Sequence, residues 1–141
     1  LSPTTFAAWQ GIYFTTAQLA DPNFGGATAD PDGDNLSNFW EWALGRNPLA
    51  ADAAGVITTD LLMDGTNGPY LTLQYRRNLG ASGLELHVDT AGTPGAWTLD
   101  GSLPVGLPIN NGDGTETLVR RDTLSPGDAA QRFIRLRAVG N

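Results

Sequence analysis

Hydrophobic residues recur at helical spacing over roughly the first fifty positions and at every second position beyond them, a change of period that separates two kinds of structure. Phe6, Trp9 and Tyr13 stand at i, i+3 and i+7 behind Pro3, Thr4 and Thr5, a stripe with capping residues in front of it. Gly11 lies inside that stripe and weakens a helix by roughly 1 kcal/mol relative to alanine, so the helix is expected to be short. Thr16 is placed to cap a further turn through Ala17, Gln18 and Leu19, and Asp21 to Ala29, with Pro22 and Gly25-Gly26, reads as loop. A clearer amphipathic helix follows: Leu36, Phe39, Trp40, Ala43 and Leu44 form its apolar face, with Ser37 as N-cap, Gly45 at the left-handed C-cap and Pro48 preventing continuation. Ala50 to Gly55 reads as a junction.

From Val56 the period is two. Leu71, Leu73 and Tyr75 alternate with Thr72, Gln74 and Arg76; Leu84, Leu86 and Val88 with Glu85, His87 and Asp89; Ile134, Leu136 and Ala138 with Arg135 and Arg137. Each pattern is that of a half-buried strand with one wet face. Weaker strand signals lie at Val56–Thr59, Ala96–Leu99 and Thr115–Arg121. Turn signals intervene at Asp64-Gly65, Asn67-Gly68, Gly92 to Gly95 and Asn111 to Gly114. Six or seven short antiparallel strands need a second layer to cover their apolar face. The expected fold is α+β: a short helical unit over residues 1–52 packed on a β-sandwich over residues 56–141.

The chemistry concentrates in Asp30 to Glu41, DPDGDNLSNFWE. Calcium takes six to eight hard oxygen ligands, and an EF-hand-type loop supplies them from positions 1, 3, 5, 7, 9 and 12. Here those positions are the carboxylates of Asp30, Asp32 and Asp34, the backbone carbonyl of Leu36, Asn38 directly or through water, and Glu41. The glycine usual at position 6 is replaced by Asn35, which tolerates the left-handed conformation better than other non-glycine residues. Ser37, at the position that is apolar in paired hands, points to a solitary structural site. The alternative is an acidic turn that binds nothing and caps the helix.

The stretch DPDGDNLSNFWEWALGRNP resembles the calcium-loop and helix unit of bacterial thrombospondin-type-3-like and dockerin-like repeats. This unit, followed by a strand-rich part with PYLTLQYRRN and a closing RFIRLRAV, also resembles C-terminal modules of large secreted bacterial proteins. The resemblance implies calcium binding and an extracellular or cell-surface setting, and implies no enzymatic activity. Dockerin units come as a duplicated pair that docks on a partner, whereas only one loop is present here.

Composition narrows the remaining choices. All eight basic residues are arginine, against fifteen acidic ones, for a formal charge of -7. That balance repels nucleic acid and anionic lipid. The absence of lysine excludes Schiff-base and P-loop lysines, and the absence of cysteine excludes thiol catalysis, disulfides and thiolate zinc sites. The chain opens on Leu1, without an initiator Met or signal peptide, as a processed start or the edge of a longer protein would. No apolar run approaches the ~20 residues of a membrane span.

Asn110 to Glu116, NNGDGTE, is read as a hairpin turn rather than a second cation site. Trp42 lies off the apolar stripe of its helix, either as a partner or sugar contact or packed against the strand-rich half. Trp97 is read as core, and His87 as an ordinary outward-facing residue without a nucleophile motif. Arg135 and Arg137 share a wet strand face, where they pair with acidic neighbours or else meet the acidic loop of another copy. The expected function is a non-enzymatic, calcium-stabilised extracellular structural or interaction module, either the self-assembling subunit of a surface fibre or a terminal module of a larger secreted protein. Its partners would be other copies, joined by an unanchored N-terminal segment added to a sheet edge, or neighbouring domains of a secreted protein. A carbohydrate-binding module with Trp42 and Trp97 as platforms is the alternative.

Overall fold

The computed structural model describes residues 4–125 and 131–140. Among them are four short helices followed by eight strands, an α+β arrangement. Helix α1 (Phe6–Tyr13) is capped by Thr5, whose side chain accepts from the Ala8 N–H. Helix α2 (Thr16–Ala20) is capped by Thr15 rather than Thr16: its hydroxyl accepts from the Gln18 N–H while the Gln18 side chain accepts from the Thr15 N–H. The expected loop after it contains a further turn, α3 (Pro22–Gly25), with Asp21 as N-cap and the proline at the position where a missing N–H costs nothing. Helix α4 (Asn38–Leu44) starts after Ser37 and ends at Gly45, which is left-handed at φ 73°. A Cβ on Gly45 would lie 2.5 Å from the Thr115 methyl, so glycine is required there by space as well as by conformation.

The strands are β1 (Ile57–Asp64), β2 (Asn67–Asn78), β3 (Leu84–Ala91), β4 (Trp97–Thr98), β5 (Ser102–Pro104), β6 (Ile109–Asn110), β7 (Thr115–Asp122) and β8 (Phe133–Gly140). They make two antiparallel sheets, one ordered β1-β2-β7-β5 with β6 also on β7, the other ordered β4-β3-β8. Asp64 pairs with Asn67 across the first hairpin, and the Asn110 to Thr115 segment turns β6 into β7. The two-residue and three-residue strands β4, β5 and β6 are too short to show a period of two.

Two hydrophobic clusters form the core. The first gathers Trp9, Phe14, Trp42, Ala43, Leu44 and Val56, with Leu84, Leu86 and Leu136 from the sheets packed against it. The second joins Leu73 and Tyr75 of β2 to Val88 of β3, with Leu86, Leu118, Ile134 and Leu136 around them. Leu86 and Leu136 touch both clusters, so helices and sheets share one continuous interior. Thr4 adds a short parallel bridge to Ala81, and its carbonyl accepts from the Trp42 indole at 3.3 Å. The N-terminal segment is therefore tied down from Thr4 onward, contrary to the expected free strand donor; residues 1–3 lie outside the described residues. Among the described residues no helix is long and apolar enough to cross a membrane.

Candidate metal centre

The acidic loop between α3 and α4 is folded around its own first carboxylate. Asp30 Oδ1 accepts from the N–H groups of Gly33 at 2.9 Å and Asp34 at 3.2 Å, and Oδ2 accepts from Asn35 at 2.8 Å. Asp32 Oδ1 accepts from Asp34, and Asp34 Oδ1 from Leu36. These bonds require two left-handed residues, Gly33 at φ 75° and Asn35 at φ 71°, the second as expected of an asparagine in the glycine position. The loop thereby turns its side chains inward. Helix α4 then begins in time for Glu41 to arrive on its first turn.

Carboxylate oxygens of Asp30, Asp32 and Asp34 lie within 4.8 Å of one another, and so do those of Asp34, Glu41 and Asp52. Two ligands of one calcium ion, each at roughly 2.3–2.6 Å, can be no farther apart than about 5 Å. Glu41 is wholly buried, yet neither of its carboxylate oxygens has a hydrogen-bond partner; Asp32 Oδ2, Asp52 Oδ1 and Asn38 Oδ1 are likewise buried and unpartnered. Among the described residues no arginine or histidine pairs with any of these five carboxylates, although arginines or the histidine answer acidic groups elsewhere. The consequence for protonation is large. Burial, then the charges of Asp34, Asp32, Asp52 and Asp30, push Glu41 up to about 9. Burial, a hydrogen bond with Asp30 and the charge of Asp34 push Asp32 up to about 6. For Asp30 burial acts in the same direction, but the bonds from Asn35, Asp32, Gly33 and Asp34 outweigh it and lower the group. A buried carboxylate with no cation near it is costly, and a divalent ion among these oxygens would remove that cost. The donor set is all hard oxygen, which suits calcium and offers nothing to a soft metal.

Asn38 is also fully buried. Its amide nitrogen donates to the carbonyls of Phe24 and Gly26, both at 2.9 Å, and its backbone N–H donates to Ala29. It thus ties α3 to the loop while its side-chain oxygen stays free. Leu36, counted for its carbonyl, packs its side chain against the aromatic cluster.

The spacing pattern of Asp30 to Glu41 does not reach Asp52. That residue stands in the junction, outside the twelve-residue pattern, where its only sequence signal is to be the single charge between Leu49 and Val56. Its N–H and that of Ala53 both donate to Asp34 Oδ2 at 3.1 Å, which draws the junction against the loop.

Of the two readings given to Trp42, Arg135 and Arg137, the contacts within the chain are the ones the structure contains. Trp42 is 3% exposed, its ring tilted at about 60° against those of Phe6 and Phe39, and is core rather than surface. A helical wheel places it off the stripe because α4 is covered on more than one side, by α1 and by the sheets. Arg135 and Arg137 both donate to the fully buried Asp89, at 3.1 and 2.8 Å, and so are engaged within the chain. Arg135 also lies 4.3 Å over the Trp97 ring, so one face of that ring is occupied from within the chain. His87 is held between Asp100 at 2.7 Å and Glu85 at 3.3 Å. In NNGDGTE, Asp113 Oδ1 accepts from the Thr115 N–H and Asn110 Oδ1 from Gly112, the bonds of a turn. Compared with family models, curated proteins and solved structures, the chain matches none of them.

Proposed function

We propose that this chain is a non-enzymatic, calcium-stabilised extracellular module with a structural or interaction role in a larger secreted protein. In this reading the two sheets close on the Leu73–Tyr75–Val88 cluster as a β-sandwich, and the helical unit is seated on it. Calcium is held by Asp30, Asp32, Asp34 and Glu41, with the Leu36 carbonyl and Asn38 completing the shell. The observation that carries the proposal is Glu41: a carboxylate removed from solvent, without a hydrogen-bond partner and surrounded by other carboxylates. The ion's part is to bring positive charge to these oxygens. The chain's part is to pre-fold the loop through the Asp30 bonds, so that little ordering remains to be done on binding.

Thermal melts in calcium and in EGTA test this. With calcium at about 100 times its dissociation constant, binding adds about 2.7 kcal/mol to the wild type, and Glu41→Ala loses most of that gain. Glu41→Gln should melt above the wild type in EGTA at pH 7 and below it in calcium, because without the ion burial forces Glu41 to take up a proton that the unfolded chain does not hold, whereas with the ion its carboxylate is a ligand. A wild type with the same melting temperature in both conditions would refute the calcium reading.

A further inference from the structure

We propose that Asp52 is a ligand of the same cation, supplied from outside the twelve-residue loop, so that the ion fastens the entry to the first sheet onto the loop. The inference rests on the calcium reading above and extends it. Asp52 Oδ1 is buried and unpartnered, and the carboxylate lies within 4.8 Å of those of Asp34 and Glu41. Its other oxygen is placed differently: Asp52 Oδ2 accepts from the Asn47 N–H at 3.4 Å. A residue that only closed the turn after α4 would have no reason to hold the second oxygen away from both water and amide donors. The Asp52 carboxylate belongs with those of Asp34 and Glu41, and Glu41 is the one side chain of that set wholly removed from solvent.

The backbone shows what such a bond would join. The N–H groups of Asp52 and Ala53 already brace Asp34, and Ala53 packs against the aromatic cluster. The Val56 N–H donates to the Ala53 carbonyl, and the Val56 carbonyl accepts from Arg76 of β2 at 3.1 Å. An ion bound by Asp34, Glu41 and Asp52 therefore links the loop and α4, through three residues of junction, to the start of the strands. Asp52 also raises the carboxylates of the site from four to five, which favours ions of higher charge.

That preference supplies the probe. Terbium(III) replaces calcium at oxygen sites, the tryptophans near Glu41 sensitise its emission, and its lifetimes in H2O and D2O count the waters bound to it. With the full chain, Asp52→Ala should add about one water to the count, since water takes the place of the missing oxygen. Asp52→Asn, which keeps an oxygen and the shape, should leave the water count unchanged and weaken binding about tenfold. Asp60→Asn, on the exposed strand β1, should change neither reading. Unchanged water count in Asp52→Ala together with unchanged affinity in Asp52→Asn would overturn the assignment. Should Asp52→Ala not fold, the Asp52→Asn affinity decides alone: tenfold weakening supports the assignment and wild-type affinity overturns it. A wild type without sensitised emission would instead sink the calcium reading itself.

Discussion

Asn35 occupies a left-handed turn, φ 71°, that the loop needs in order to bring the Asn35 N–H onto Asp30. Replacing it by glycine should keep or slightly raise stability, while a β-branched residue should cost about 1–2 kcal/mol, read from urea midpoints in calcium. At this scale much of the candidate site was legible before any coordinates, because the spacing of Asp30, Asp32, Asp34 and Glu41 and the tolerance of Asn35 are local properties. Asp52 was not legible, since its approach to Asp34 depends on the path taken after Pro48. Trp42 was left between two readings for a similar reason: its periodic position describes one face, whereas its burial depends on which neighbours surround α4.

Single elements followed the same division. Helices α1 and α4 and strands β2, β3 and β8 are long enough for their period to show. Helix α3 needed recognition of Asp21-Pro22 as a cap followed by a first-turn proline, and β4, β5 and β6 exist only because a neighbouring strand pairs with them. The strand pair β3–β8 carries a charge arrangement with a definite response to acid. Burial alone would raise Asp89, but bonds from Arg137, from the Asp100 N–H and from Arg135 outweigh it and hold the group below its ordinary value. Its neighbours on this face are Glu85 and His87 of β3, Arg135 and Arg137 of β8, and Asp100. A lowered folded value means that the stabilisation is complete above the unfolded value of about 3.9 and is lost as pH falls through the folded one. Asp89→Asn should therefore destabilise the chain at pH 7 by on the order of 2–3 kcal/mol, less than a fully buried pair costs because both guanidinium groups reach solvent. The gap between variant and wild type should narrow below about pH 4, followed by denaturant titration at each pH.

In the whole molecule, the change of period near residue 56 suggests two units, and the interior joins them. Leu86 and Leu136 belong to the surroundings of both clusters, and Val56 sits in the first while its carbonyl is bonded to β2. Unfolding is thus expected to be a single transition, with near-ultraviolet circular dichroism of the tryptophans and far-ultraviolet signal of the strands coinciding, and both moving together on calcium removal. Separate midpoints would mean that the helical unit melts by itself. The same sharing has a consequence in time as the chain is made. The acidic loop and the aromatic helices are made before the strands, but Thr4 finds its partner only when Ala81 exists, and the cluster containing Trp42 and Leu44 stays incomplete until β8 delivers Leu136. Contacts this distant in sequence form slowly. A nascent chain halted before Phe133 would hold a loop ready for calcium and a cluster of tryptophan and phenylalanine still facing water, the state most open to a chaperone and to aggregation.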